Sequence, residues 1–119
     1  MIIALAGRRI DAPDAETTRF SLKMKDTVRE KILEFFKDEK VTTLVSSAAC
    51  GSDLLAQDAA RELKIRRHVI LPFSQRRFRR TSVTDRPGDW GELFDEICGE
   101  VKRDGNLIIL SSTLSNFED

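Results

Sequence analysis

One histidine, His68, and two cysteines, Cys50 and Cys98, are the whole supply of imidazole and thiol in 119 residues. A lone histidine excludes multi-histidine metal centres. The cysteines have neither metal-ligand spacing nor the density of a secreted disulfide scaffold. No metal and no cofactor are expected. Net charge is missing as well, since 20 basic residues balance 20 acidic ones, and the whole molecule therefore lacks a basic field for nucleic acid. No apolar run approaches the length of a membrane span, and "MIIALAG" is too short for a signal peptide. A cytoplasmic protein with no membrane contact is expected. The glycine spacing of a dinucleotide fingerprint and the lysine of a P-loop are both lacking. No pair of carboxylates stands where strand ends would bring them together for general acid–base work.

What is present is alternation. With 40% apolar and 34% charged residues, the composition suits one soluble domain over 1–119 with a heavily charged surface. The apolar runs 2–7 (IIALAG), 41–48 (VTTLVSSA), 66–73 (RRHVILPF) and 106–111 (NLIILS) read as buried strands. Between them, helices are predicted over 15–37, with a stripe of Phe20, Met24, Val28, Ile32 and Phe35, over 52–63, and over 89–103 with Asp89 as N-cap. The stretch from Ser74 to Asp89 reads as irregular, with Phe78 packing under it. Strands alternating with helices imply right-handed crossovers and parallel pairing. The predicted fold is a Rossmann-like three-layer α/β/α sandwich with a small parallel sheet and helices on both faces. Four strands leave edges that are usually covered, so a homo-oligomer, or service as one domain of a larger effector, is expected.

In open parallel sheets ligands lie beyond the carboxyl ends of the strands. Gly7, Arg8 and Arg9 follow the first strand, and Ser46, Ser47, Ala49, Cys50, Gly51, Ser52 and Asp53 follow the second. Pro72, Arg79, Arg80 and Ser82 follow the third, and "SSTLS" follows the fourth. Small residues ending at Gly51, with a helix opening at Ser52, form either a plain strand-to-helix corner or a cradle whose outward amides hold phosphate. Asp53 reads first as a helix cap, and in a functional role as an acceptor for a neutral part of a ligand. Seven arginines stand between Arg66 and Arg86 against the single acid Asp85. They are either anion clamps or solvated partners of the acidic third helix. Cys50 sits where a helix N-terminus could stabilise a thiolate, and His68, inside a strand, reads as a packed core residue.

These segments resemble the SLOG superfamily, which includes the DNA-processing protein A family and the LOG-type nucleotide hydrolases. Gly7 with Arg8 or Arg9 matches its first element. Ala49, Gly51 and Asp53 in "SSAACGSDLLAQDAA" match the second, and Leu71 and Pro72 match the end of the third strand. The resemblance implies a Rossmann-like fold and a nucleotide or nucleotide-derived ligand. It runs from Met1 to about Ser112. The chain lacks the Pro-Gly-Gly-x-Gly-Thr loop of the LOG-type hydrolases, so the resemblance favours binding or sensing over hydrolysis. An N-glycosidase using Asp53, and a single-strand DNA binder using the arginine-rich stretch, are the alternatives.

Overall fold

The computed structural model describes residues 1–110. Four strands, β1 (Ile2–Leu5), β2 (Thr43–Ser46), β3 (Arg66–Leu71) and β4 (Leu107–Ile109), form one sheet in the order β1-β2-β3-β4. Every pairing is parallel. Four helices, α1 (Lys25–Asp38), α2 (Ser52–Glu62), α3 (Gln75–Ser82) and α4 (Trp90–Arg103), connect them. This is the α/β architecture of Rossmann-like type that the alternation predicts. The segment after the fourth strand, residues 111–115, lies outside the described residues.

Strand register sorts the sheet residues into two faces, because side chains alternate along each strand and registered partners share a face. Ile3, Leu5, Leu44, Val69, Leu71, Leu107 and Ile109 point one way and belong to the two apolar clusters of the core. Ile2, Ala4, Thr43, Val45, Arg66, His68, Ile70 and Ile108 point the other way, and none of them joins either cluster. Ile2 remains 72% exposed and Ile108 45%. The expectation of helices on both faces is therefore met on one face only among the described residues. Strand order supplies the reason. Each right-handed crossover advances by one strand in the same direction, which lays successive helices on the same side. Covering the other face requires the order to reverse at a switch point, and these four strands contain no reversal. The shortest extent of the molecule is 20 Å, consistent with one sheet and one helical layer.

Helix α2 lies at the centre of that layer, between α1 and α4. Leu54 and Leu55 pack toward Val69, Phe94 and Ile97, while Ala56, Ala59 and Ala60 pack toward Leu33, Phe36 and Leu44. The alanines let α1 approach closely. The first predicted helix is shorter than its apolar stripe implies. The Asp11 carboxylate accepts from the amides of Arg19 and Phe20, both at 3.0 Å, and the Asp11 amide donates to the Phe20 carbonyl at 2.7 Å. That closes residues 11–20 into a loop, and α1 starts only after a 3₁₀ turn over Leu22–Met24. Met24 and Phe35 are exposed, and the core contacts pass to Leu33 and Phe36. The stretch read as irregular holds α3. Ser74 caps it by accepting from the Arg77 amide at 3.2 Å, and Phe78 is buried with its ring stacked 5.9 Å from Phe94. Asp89 occupies the N-cap position of α4 but makes no capping bond through its side chain.

Candidate functional site

The carboxyl ends of β1 and β2 are locked together by backbone. Gly51 adopts φ +129°, as a tight corner requires, and forms an antiparallel bridge with Arg9. The Ile10 amide donates to the Cys50 carbonyl and the Ser52 amide to the Arg8 carbonyl, both at 3.0 Å. The Cys50 amide donates to the Ser82 carbonyl at 3.0 Å. The amides of Cys50 and Ser52, which a cradle would turn outward, are thus used inside the protein. A Cβ on Gly51 would stand 2.6 Å from the Arg8 carbonyl oxygen. The glycine is needed for close approach of the chain's own backbone, as the plain-corner reading of this turn requires.

Asp53 is buried, 7% exposed, and its Oδ1 accepts from the Gly7 amide at 3.3 Å. Burial raises its carboxyl above the usual 3.8, while hydrogen bonds from the backbone of Gly7 and Ala49 act the other way. The carboxylate ties the end of β1 to the start of α2. Gly7 fits there because any Cβ would lie 2.4 Å from that of Ser52. Ser46 is buried, with its hydroxyl donating to the Ser47 carbonyl at 2.7 Å and accepting from Gln57 Nε2 at 2.9 Å. Gln57, fully buried in α2, also donates to the His68 carbonyl at 3.2 Å. It ties α2 to two strands. The sequence signal for it was a lone amide on the alanine-rich face of a helix.

The arginines divide. Arg9 donates to Cys50 Sγ at 3.3 Å and pairs with Asp85. Arg79 makes a two-pronged pair with Asp95 on α4, at 2.9 and 3.1 Å. Arg86 donates to the Ile10 carbonyl at 2.7 Å, and Arg77 stacks over Phe73 at 4.2 Å. The reading of this stretch as partner to the acidic third helix therefore describes Arg79 and also Arg67, which pairs with Glu100 at 2.8 Å. Arg80 and Pro72 are exposed, while Ser47, Ala49, Ser52 and Ser82 are half-buried. Arg8 is exposed, and no acidic side chain pairs with it among the described residues.

Neither cysteine offers a stabilised thiolate. Cys50 is fully buried, and that burial pushes its thiol up despite the hydrogen bond and charge of Arg9. Burial in α4, with Asp95 nearby, pushes Cys98 up to about 12. His68 is half-buried on the uncovered face of β3, in register with Val45, rather than packed in the core. Among the described residues, no group of His, Cys, Asp and Glu could hold a metal ion, and no helix is long and apolar enough to cross a membrane.

Two of the cavities among the described residues lie away from the carboxyl ends of the strands. One, of about 530 Å³, is lined by Arg61, Lys64, Ile65, Arg66, Arg67, Asp104 and Asn106 at the amino ends of β3 and β4. The other, of about 260 Å³, lies over Trp90 and Leu55. Arg61 and Lys64 there stand at the C-terminus of α2, where cations offset the dipole, and Arg66 and Arg67 open β3. Arg61 and Arg67 there are bound to carboxylates. Comparison with protein-family models, with curated proteins and with solved structures finds no match to this chain.

Proposed function

We propose that this chain is a nucleotide-binding or nucleotide-sensing domain of SLOG-like type, and that it acts by binding rather than by catalysis. The ligand lies across the carboxyl ends of β1 and β2, with its phosphate against Arg8 and the hydroxyls of Ser47 and Ser52. One observation carries this reading. Arg8 presents an exposed guanidinium without an acidic partner, on backbone fixed by the Ser52 amide to its carbonyl and by Asp53 to Gly7. A cation held on pre-set backbone is the cheapest kind of anion contact, because little is ordered on binding. Arg9 and Arg79 are already neutralised by Asp85 and Asp95, so the phosphate contact falls to Arg8. The hydrolase alternative would need Asp53 to face the ligand, whereas its carboxylate is buried and bonded to backbone.

A panel of adenosine and guanosine nucleotides, with NAD-derived compounds, screened by thermal shift and followed by calorimetry, tests the proposal. A bound ligand at about a hundredfold over its dissociation constant adds about 2.7 kcal/mol of stability. Arg8→Ala should then weaken binding by about 1.5–3 kcal/mol, the worth of a charge-assisted hydrogen bond, while Arg79→Ala leaves it unchanged. Equal affinity of Arg8→Ala and the parent protein would defeat this reading.

A further inference from the structure

The uncovered face of the sheet carries Ile2, Ala4, Val45, Ile70 and Ile108, interrupted by Thr43, Arg66 and His68, and no acidic residue occupies an outward strand position. Parallel strands are ordinarily covered on both faces. Around the amino ends of the strands stand Lys40, Lys64 and Arg66, all exposed. Lys40, Lys64 and Arg66 have no acidic partner among the described residues. Two acids stand at the same rim, Glu39 beside Lys40 where α1 ends and Asp104 lining the cavity that Lys64 and Arg66 share, and cations still outnumber them there. Arg8 marks the opposite end. The acids of α1, α2 and α4 belong to the helical layer behind the sheet.

We propose that this face is a docking surface for an acidic amphipathic helix of a partner protein. Charge selects that occupant, and the area of the face limits any partner to a small interface. Four short strands about 4.8 Å apart present roughly 300 Å², well under the about 800 Å² per partner of a standard stable interface. Two such twisted sheets laid face to face would meet over still less. A second copy would also set cationic rim against bare sheet, with no acid to answer it. A helix about 10 Å wide lies across the strands with its apolar stripe on Val45 and Ile70. Its flanking carboxylates then reach Arg66 and Lys64 at the rim.

The test uses the full chain and two fluorescent helical peptides of about 18 residues, each with leucines at i, i+3, i+4 and i+7. One carries glutamate at the remaining positions and the other lysine. By anisotropy, the glutamate peptide should bind at least about tenfold more tightly than the lysine peptide. Arg66→Glu, a change at an exposed position, should erase that preference, and Val45→Asp should remove binding of both peptides. Thermal melts establish that each variant is folded. Equal binding of the two peptides, or unaltered preference in Arg66→Glu, overturns the proposal. So does self-association in sedimentation that Ile108→Asp abolishes, since a second copy would then occupy the face.

Discussion

Gly51 shows how one residue can satisfy two readings, a backbone corner and a ligand cradle. Its φ of +129° and its 2.6 Å clearance from the Arg8 carbonyl both exclude a side chain. Gly51→Val should therefore cost about 2–4 kcal/mol of stability in urea unfolding, whatever the protein binds. A stable, fully folded Gly51→Val protein would mean that the Arg9–Gly51 bridge does not form. The glycine, the small residues and the aspartate were legible in the sequence. Their partner was not, because an amide donating to its own chain and one donating to phosphate require the same residues. Asp53 carries a second consequence. Since its folded carboxyl sits above the usual 3.8, the folded state holds that proton more tightly than the unfolded chain does. Its contribution to stability is greatest below 3.8 and declines as pH rises through the folded value. Asp53→Asn keeps an oxygen for the Gly7 amide and removes the buried charge. Urea midpoints measured across the acid range should show the variant gaining on the parent as pH rises through that window. A constant difference would show that Asp53 is not the group responsible.

At the scale of elements, the helical layer is tied by a charge network centred on Arg61. It binds Asp58 at 2.7 Å, Glu96 at 3.0 Å and Glu100 at 3.1 Å, so that α2 holds α4. Arg29 of α1 joins through Asp58 at 2.8 Å, and Arg67 of β3 through Glu100 at 2.8 Å. Burial alone would raise the carboxyls of Asp58 and Glu100. Hydrogen bonds from Arg61 and Arg29, and from Arg67 and Arg61, outweigh it and hold them below their usual 3.8 and 4.5. Depressed carboxyls contribute stability above those values and lose it as pH falls through the folded ones. Arg61→Ala should cost about 1 kcal/mol near neutral pH, a modest figure because the pairs are partly solvated. The cost should shrink in acid and in high salt, and equal destabilisation at pH 7 and in acid would exclude the network as its source. Element existence was largely readable from periodicity. The exceptions follow from local chemistry, since Asp11 captures amides that the first helix would have used. The arginine run hid α3, whose apolar contribution to the core is essentially Phe78.

For the whole molecule, the sequence disclosed parallel pairing but not the layers. Periodicity says which residues are apolar, and strand order, which decides where helices fall, leaves no local mark. Ile2 and Ile108 look as buried in sequence as Ile3 and Ile109. The strand order has one more consequence. Because each strand neighbours the next in sequence, contacts pass from unit to unit as in a short stack of repeats. The core accordingly has two lobes, one around Leu33, Phe36 and Leu44 and one around Phe94, Ile97 and Val69, joined through α2. Native-state hydrogen exchange should find the slowest amides in α2, with α1 and α4 opening separately at lower free energy. Leu33→Ala should speed exchange in α1 and leave α4 unchanged, and a uniform acceleration would instead mean one indivisible lobe. A molecule arranged this way unravels from its two flanks toward the middle, and its last surviving structure is the helix that both flanks share.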